Sequence, residues 1–509
     1  MKTEVVVIGG GATGAGVLRD LALRGIEAIL LEKGELTSGT SGRNHGLLHS
    51  GARYAVNDPD SARECISENR ILKRIASPCI EETGGFFLSL PQDPPEYAEE
   101  FLRACGNIDL PAQEVPIAQV LEKEPALSPE IKRAFSVPDG AIDPFRLIRA
   151  NVEEAENLGA KFFSHREVFH ISVESGHIRG LKARNPRTGE EIEIHCRFII
   201  NAAGVWAGKI AQMAGATLEI TFSKGSLIVL SQRLVNSVMN RCRPPSSGDI
   251  FVPHGPALIL GTTSKTVQEL EDPTADEDEV DLLFLEGAQL IPGVTLTRAI
   301  RAYAGVRPLM GAREGEEDSR KISRDFLLVD HDQVDGIKGF FSVIGGKLTT
   351  YRFMAERTVD AVCQEMGNKV PCPTAEKLLP FPHEYSFRDL EYRLKQISQG
   401  TEEIVCECEL ISRREVSGEM QKLPHPSLIE VQQRTRAGMG PCQGGFCAHR
   451  LTALLSETGK IPPGASLSML ERFLEERWKG IRPVLWGAQL REEQLIQALY
   501  TELFNLDHC

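Results

Sequence analysis

Four cysteines in the last quarter of the chain have a spacing that suits a metal or iron–sulfur site. Cys406 and Cys408 form a C-x-C pair, and Cys442 and Cys447 form a C-x4-C pair after residues 409–441. Four thiolates can ligate a [2Fe-2S] cluster, and they can also hold a structural zinc ion in tetrahedral geometry. A disulfide within a C-x-C pair would be strained, which makes a bridge the weakest interpretation. The spacing alone leaves the cluster and zinc open.

The elements around these cysteines are predicted to place them in loops beside helices. Residues 412–415 (Ser-Arg-Arg-Glu) and 427–430 (Ser-Leu-Ile-Glu) have the spacing of capping boxes and predict the starts of two helices. A third apolar-periodic segment follows Cys447. Amide donors and helix dipoles at such positions stabilise an anionic centre.

A second group of residues near the start of the chain predicts a dinucleotide site. Gly9, Gly11 and Gly14 form G-x-G-x-x-G between an apolar run at residues 4–8 and a helical pattern. Glycines in this setting allow a tight turn and a close approach of the backbone to a pyrophosphate at the helix N-terminus. Glu32 ends the next apolar run, where it can accept a hydrogen bond from a ribose hydroxyl. The motif does not distinguish FAD from NAD.

A third group lies in the glycine- and serine-rich residues 37–54, which contain two histidines, two arginines and Tyr54. Oxidation of an alcohol requires a hydride acceptor and a base, and a histidine can be neutral and basic near pH 7. The planar guanidinium of arginine suits a phosphate or carboxylate on the substrate. A solvated polar loop would have a similar composition.

Several motifs together resemble a known family. Residues 43–54 (Arg-Asn-His-Gly-Leu-Leu-His-Ser-Gly-Ala-Arg-Tyr), 197–206, 304–309 and 345–352 (Gly-Gly-Lys-Leu-Thr-Thr-Tyr-Arg) resemble the D-amino-acid-oxidase-like flavoproteins, and among them the FAD-dependent glycerol-3-phosphate dehydrogenases. The cysteine module resembles the bacterioferritin-associated-ferredoxin-like [2Fe-2S] domain. An NAD enzyme needs none of the three later segments, so the resemblance favours FAD, and a redox partner for the flavin favours iron–sulfur over zinc.

The resemblance implies oxidation of sn-glycerol 3-phosphate to dihydroxyacetone phosphate. Electrons would leave through the cluster toward a quinone by way of electron-transfer and membrane-associated partner subunits. A second hypothesis keeps the cofactors and changes the substrate to a 2-hydroxy acid or an amino acid. A third is a non-enzymatic iron–sulfur sensor or scaffold that retains the fold.

The resemblance also implies roles for individual residues at positions that match the family's motifs. FAD is expected to contact Gly9, Gly11, Gly14, Glu32, Thr40, Ser41, Ala203, Gly204, Gly346, Lys347, Leu348 and Thr349. The substrate is expected to contact Arg53, Tyr54, Arg307, Lys347 and Arg352. The expected catalytic residues are His49, Arg53 and Arg307, and the expected cluster ligands are Cys406, Cys408, Cys442 and Cys447.

Some of these roles have alternatives. His45 is a second candidate for the base, and Arg307 could serve only to polarise the substrate oxygen. Lys347 and Arg352 could instead contact FAD or cap a helix. Similar aerobic enzymes often have a lysine where this chain has Gly46, so that substrate contact does not carry over.

The length and charge of the chain limit the number of domains and the kinds of partner that it can have. At 509 residues the chain exceeds the roughly 250–300 residues of a single core. A net charge of −14 argues against nucleic acid as a partner. No stretch approaches the roughly 20 apolar residues of a membrane-spanning helix, so we expect a cytoplasmic protein, peripheral on the inner membrane through its partners.

The predicted fold class is α/β: a Rossmann-like FAD-binding domain with a mixed-sheet substrate domain, followed by a small, mostly α-helical [2Fe-2S] domain. The predicted boundaries are 1–370 for the oxidoreductase domain, with a substrate subdomain near 80–140 and 215–300; 371–400 for a connector; 401–453 for the cluster domain; and 454–509 for a C-terminal helical arm. We expect this arm to pack on the flavin domain or on a partner.

Overall fold

The first large sheet is built on the apolar strand that precedes the glycine-rich turn. A computed structural model describes residues 1–268, 270–309, 325–381, 394–395, 398–399, 403–423, 426–462, 464–503 and 506. The sheet has six strands, in the order Phe326–Asp330, Phe340–Gly345, Phe198–Asn201, Val5–Ile8, Ala28–Leu31 and Lys161–Phe163. Only Phe326–Asp330 is antiparallel to its neighbour. Val5–Ile8 is buried on both faces, as expected of a parallel strand with helices or sheets on each side.

Different elements cover the two faces of this sheet. Val5, Val7 and Leu30 pack on one face against three helices, Ala12–Leu23, Pro144–Asn157 and Tyr351–Met366. The opposite face packs against helix Ala207–Met213 and against a three-stranded antiparallel sheet of Glu167–Glu174, His177–Arg184 and Glu191–His195.

A second large sheet carries the substrate side of the molecule. Its strands follow the order Lys265–Val267, Thr221–Leu230, Ala257–Gly261, Ile250–His254, Val238–Arg241, Gly85–Ser89, Arg133–Val137 and Gln113–Glu114, and Ala299–Leu309 pairs with Thr221–Leu230. The sheet is mixed, because Val238–Arg241 runs parallel to Gly85–Ser89 and the other pairs are antiparallel.

Helices cover both faces of the second sheet as well. Ile117–Lys123 and Glu277–Leu290 lie on one face, and Pro59–Ile75 and Pro95–Gly106 contribute to a core on the other. The acidic run that precedes Leu282 begins a helix, since Asp276 and Glu279 form a capping box. A small sheet of Leu47–Leu48, Gly140–Ile142 and Ile80–Glu81 completes this part.

The cysteine-containing module is helical, as predicted. A short hairpin, Ile404–Cys406 with Ile411–Ser412, precedes the helices Arg413–Lys422, Leu428–Thr435, Ala448–Glu457, Ala465–Ile481 and Gly487–Ala498. Residues of all five helices share one core with the cysteine loops. The first predicted capping box forms in full: Ser412 Oγ accepts from the Glu415 amide, and Glu415 Oε2 accepts from the Ser412 amide.

The second predicted box forms only in part. Ser427 Oγ accepts from the Glu430 amide at 3.1 Å and caps the helix. The Glu430 carboxylate instead pairs with Arg434 and with Arg149 of the flavin-domain helix, at 3.2 and 3.3 Å. An ion pair across the domain contact therefore replaces the reciprocal backbone hydrogen bond.

Polar contacts join the module to the rest of the chain. Arg436 pairs with Asp143, and Ser427 Oγ donates to Glu35 Oε1 at 2.8 Å. Arg298 pairs with Glu492 of the last long helix. The C-terminal helices thus pack on the second large sheet, within the predicted oxidoreductase domain of residues 1–370, which was one of the two predicted placements.

This architecture confirms the predicted fold class. Much of the predicted connector, at residues 382–393, 396–397 and 400, lies outside the described residues, as do 401 and 402. Among the helices that the structure describes, none is long and apolar enough to cross a membrane.

Candidate active site and cluster site

Most of the predicted cofactor and substrate residues meet at one cavity between the two large sheets. The cavity has a volume of about 950 Å³, near the upper end for a cofactor or ligand pocket. Its walls come from the glycine-rich turn, from the loop of residues 37–54, from strand Ala299–Leu309 and from the turn after Phe340–Gly345.

The glycine-rich turn has the shape that a pyrophosphate requires. Gly9 has φ +113°, and an added Cβ would lie 2.5 Å from the carbonyl oxygen of Ala202. Gly14 does not line the cavity, because it packs directly against the backbone of Gly9. The N-terminus of helix Ala12–Leu23 therefore opens into the cavity with its positive dipole end.

Glu32 lies at the cavity wall, at the end of strand Ala28–Leu31, as predicted. Its Oε2 accepts from the Gly10 amide at 2.7 Å, and its Oε1 accepts from the Gly34 amide at 2.8 Å. Two backbone donors thus fix the carboxylate beside the turn, where it can still accept from a ribose hydroxyl.

Most other predicted cofactor residues also line the cavity: Gly11, Thr40, Ser41, Ala203, Gly204, Gly346, Lys347 and Leu348. Thr349 does not, because it lies behind His49 and its Oγ1 accepts from the His49 amide at 3.1 Å. Together with the glycine turn, these residues fit a dinucleotide such as FAD.

Two cavity residues were not predicted. Lys33 Nζ lies 3.5 Å from the centre of the Trp206 ring, and both residues line the cavity. The buried Trp206 Nε1 has no acceptor among the described residues, which leaves a donor for a bound group. Trp206 belonged to a quoted motif, but nothing in the sequence paired it with Lys33.

The two histidines of the loop are neutral. Burial, with further contributions from His45, Arg53 and Lys347, holds the pKa of His49 well below its usual range. Burial and the charges of Arg307 and Arg53 lower the pKa of His45 to about 3. The His49 ring lies 5.3 Å from the Tyr54 ring and 5.6 Å from the His45 ring. Each histidine is therefore unprotonated but a weak base, and an anion in the cavity that offsets the nearby cations would raise its pKa and strengthen it as a proton acceptor.

Arg307 reaches the cavity from strand Ala299–Leu309 and is held on one side. Its Nη2 donates to Thr262 Oγ1 at 2.7 Å, and Ser223 Oγ and the Thr263 carbonyl lie at 3.4 Å. The absence of a side chain at Gly225 leaves the space that the guanidinium occupies.

Arg53 and Lys347 add positive charge to the cavity lining. Arg53 pairs with the buried Asp249 at 3.0 Å. Lys347 Nζ donates to Ser61 Oγ at 3.0 Å and lies 5.0 Å from the centre of the Tyr54 ring. Cations from four different segments therefore converge on one cavity in a protein of negative net charge.

The structure contradicts the predicted substrate contact of Arg352. This arginine is 4% exposed and does not line the cavity. Its Nε and Nη2 donate to Glu68 at 2.8 and 2.6 Å, and its Nη1 donates to Glu356 at 2.7 Å and to Thr374. These carboxylates satisfy the guanidinium, so Arg352 ties helix Tyr351–Met366 to helix Pro59–Ile75.

Gly46, where similar enzymes often have lysine, has φ +62° and lies against the His254 ring. A side chain at this position would meet that imidazole and the carbonyl oxygen of Ile142. Burial, and next the charge of Arg436, lowers the pKa of His254 to about 4.

The four predicted ligand cysteines come together in two pairs. Cys408 Sγ lies 3.5 Å from Cys442 Sγ, and Cys406 contacts Cys447 while its Sγ accepts from the Gly438 amide at 3.4 Å. The Cys408 thiol, the amides of the loop after Cys442 and a nearby arginine lower the pKa of Cys442 to about 6, although burial opposes them.

Sulfurs in two pairs suit two iron atoms with two thiolates each. Over the described ranges, no three His, Cys, Asp or Glu side chains are arranged to hold a single metal ion. The paired thiols therefore fit a [2Fe-2S] cluster.

Comparison with known proteins agrees with both sites. The family model of the FAD dependent oxidoreductases (DAO) matches residues 4–352, and that of the BFD-like [2Fe-2S] binding domain matches residues 404–457. These matches confirm the predicted cofactors, FAD and a [2Fe-2S] cluster.

Relatives match over the whole chain. The A subunit of the anaerobic glycerol-3-phosphate dehydrogenase of Escherichia coli (strain K12) is 42% identical, over 99% of this chain and 97% of the relative. The A1 subunit of the Haloferax volcanii enzyme of the same name is also 42% identical, over 99% of this chain and 91% of the relative. A glycerol-3-phosphate dehydrogenase from Bacillus halodurans, solved with FAD, has the same fold, with a TM-score of 0.69, 20% identity and 96% of both chains covered. The chain therefore belongs to the family of the anaerobic glycerol-3-phosphate dehydrogenase A subunits, FAD-dependent dehydrogenases with a [2Fe-2S] domain.

Proposed function

We propose that this chain oxidises sn-glycerol 3-phosphate to dihydroxyacetone phosphate and passes the electrons from the cavity to the cysteine module. The observation that carries the proposal is the single cavity in which a dinucleotide turn faces Arg53, Arg307 and Lys347. When bound, FAD supplies a hydride acceptor and the [2Fe-2S] cluster a one-electron acceptor. The names of the full-length relatives support this substrate.

The cationic residues select a small anionic alcohol. We assign the phosphate to Arg53, Arg307 and Lys347, with Tyr54 beside them, because guanidinium groups donate several charge-assisted hydrogen bonds in a fixed geometry. Arg307 is oriented toward the cavity through its hydrogen bond to Thr262 Oγ1.

The neutral histidines supply the proton acceptor. We assign this role to His49, which is buried at the cavity wall and held through its backbone by Thr349. The alcohol proton would pass to the imidazole as the hydride leaves the carbon. His45 is the alternative acceptor, at a ring distance of 5.6 Å.

Electrons would then leave the molecule at the cysteine module. The relatives are named as subunits, which supports further subunits in a complex. We propose that these partners carry the electrons toward a quinone, and that one of them holds the chain on the cytoplasmic side of the inner membrane.

Anaerobic titration of the holoprotein tests the proposal. We expect sn-glycerol 3-phosphate to bleach the flavin band first and the cluster band second, whereas 2-hydroxyglutarate and proline change neither. Bleaching by the acids but not by the phosphate would assign a different substrate. A flavin that is reduced while the iron never changes oxidation state would refute the electron path.

A further inference from the structure

We propose that Arg301 provides the counter-charge for the [2Fe-2S] cluster and thereby sets its reduction potential. The residue belongs to the flavin part of the chain, outside the cysteine module. The inference rests on the proposed cluster at Cys406, Cys408, Cys442 and Cys447.

Three arginines contact three consecutive residues of the loop that contains Cys442. Arg298 Nη2 donates to the Pro441 carbonyl at 2.9 Å, and Arg477 Nη2 donates to the Cys442 carbonyl at 3.4 Å. Arg301 Nη1 donates to Gln443 Oε1 at 3.4 Å. Three guanidinium groups therefore donate hydrogen bonds to this loop beside one of the ligands.

The three guanidinium groups differ in how their charge is balanced. Arg298 pairs with Glu492, and Arg477 pairs with Glu493 at 2.5 Å. In the part of the chain that the structure describes, no carboxylate lies within ion-pair distance of Arg301. Burial lowers the pKa of Arg301, and the charges of Arg43 and Arg477 lower it further, against the opposing effects of Tyr303 and Glu476.

Arg301 is half-buried, and a guanidinium in that setting without a paired carboxylate is costly unless an anion lies nearby. The packing accommodates the Arg301 side chain at this position, because Gly480 leaves the space that the stem and guanidinium occupy. A cluster with four thiolates is anionic and becomes more so when it accepts an electron. It is the anion that the Cys442 loop would bring to Arg301.

The position of Arg301 also makes it a link between the two sites. Two residues along the same strand, Tyr303 donates from its hydroxyl to the Asn44 carbonyl at 2.8 Å, and Asn44 lines the cavity. Arg307 projects into that cavity from the same strand. A positive charge at Arg301 therefore favours movement of an electron from the cavity toward the cluster.

The test compares cluster potentials in the full chain, purified anaerobically with FAD and cluster, by titration followed with electron paramagnetic resonance. Arg301→Gln is expected to disfavour cluster reduction by about tenfold, the order of magnitude for removal of one nearby unit charge at an effective permittivity of about 20. For a one-electron couple this is a potential about 59 mV lower. Arg301→Lys keeps the charge. The equilibrium constant for cluster reduction is therefore expected to stay within about threefold of the wild-type value.

Arg413→Gln is the control, because Arg413 lies within the cysteine module itself but pairs at the surface with Glu403 and Glu457. A potential in Arg301→Gln that moves no more than in this control overturns the inference, as does a shift of the flavin potential in place of the cluster potential. If Arg301→Gln does not fold, Arg301→Met keeps the apolar stem and is held to the same outcomes. A wild-type protein without any cluster signal would instead refute the proposed function.

Discussion

Gly225 decides where the Arg307 guanidinium can lie, so Gly225→Ala tests the substrate role of Arg307 without removing its charge. An added Cβ would lie 2.5 Å from Thr262 Oγ1 and 2.6 Å from Arg307 Cζ. The end of an arginine side chain moves more easily than the paired backbone of strand Thr221–Leu230. We therefore expect the guanidinium to be displaced and its hydrogen bond to Thr262 to be lost.

The expected loss of activity follows from the hydrogen bond between Arg307 and Thr262 and from the substrate contact that this bond positions. A hydrogen bond to a charged group contributes about 1.5–3 kcal/mol. At about 1.4 kcal/mol for each factor of ten, kcat/KM for sn-glycerol 3-phosphate should fall by about 10- to 150-fold. The assay is steady-state kinetics with an artificial electron acceptor, together with the FAD content from the visible spectrum.

Gly106→Ala is the control, since an added Cβ there meets nothing within 4 Å. It should leave both kcat/KM and FAD content at wild-type values. If Gly225→Ala keeps its FAD and its kcat/KM stays within twofold of wild type, Arg307 does not bind the substrate. If the variant loses FAD instead, the guanidinium serves the cofactor and the assignment is also refuted.

Three further substitutions test other parts of the molecule. His49→Gln should slow flavin reduction in stopped-flow by about 10²–10⁴-fold with little change in substrate affinity, and an unchanged rate would remove His49 from the mechanism. Cys408→Ser should abolish the cluster while the substrate still bleaches the flavin, and two irons per chain in this variant would contradict the ligand assignment. Burial, followed by the charge of Asp325, raises the pKa of Glu64 to about 7, so folding stability should fall as pH rises from about 4.5 to about 7. Glu64→Gln should then raise the melting temperature at pH 8 but not at pH 5. An equal effect at the two pH values would contradict a raised pKa of Glu64 as the cause.

Features that depend on neighbouring residues in the sequence could be predicted. The glycine turn, the Ser412 capping box and the cysteine spacing are local, and the structure has each of them in the expected form. Family resemblance added the later segments that return to the cavity, such as the turn around Lys347.

Features that depend on residues far apart in the sequence could not be predicted. Arg352 was expected to bind substrate, but Glu68, far away in the sequence, satisfies it. The pairing of Arg53 with Asp249 and the space that Gly225 leaves for Arg307 likewise arise only when the second sheet forms. Sequence spacing shows which residues have suitable chemistry, whereas tertiary packing decides which of them are already paired.

Strand Ala299–Leu309 has a consequence for motion during turnover. One end of it is fastened through Arg298 to the backbone beside Cys442, and the other end forms part of the cavity wall at Arg307. Because this strand contacts both sites, a tilt of the second sheet would move the cysteine loop with it. We therefore expect the distance between Arg307 and the cysteine loop to stay fixed when the second sheet moves, whereas the distance from the glycine-rich turn of the first sheet to that loop would change.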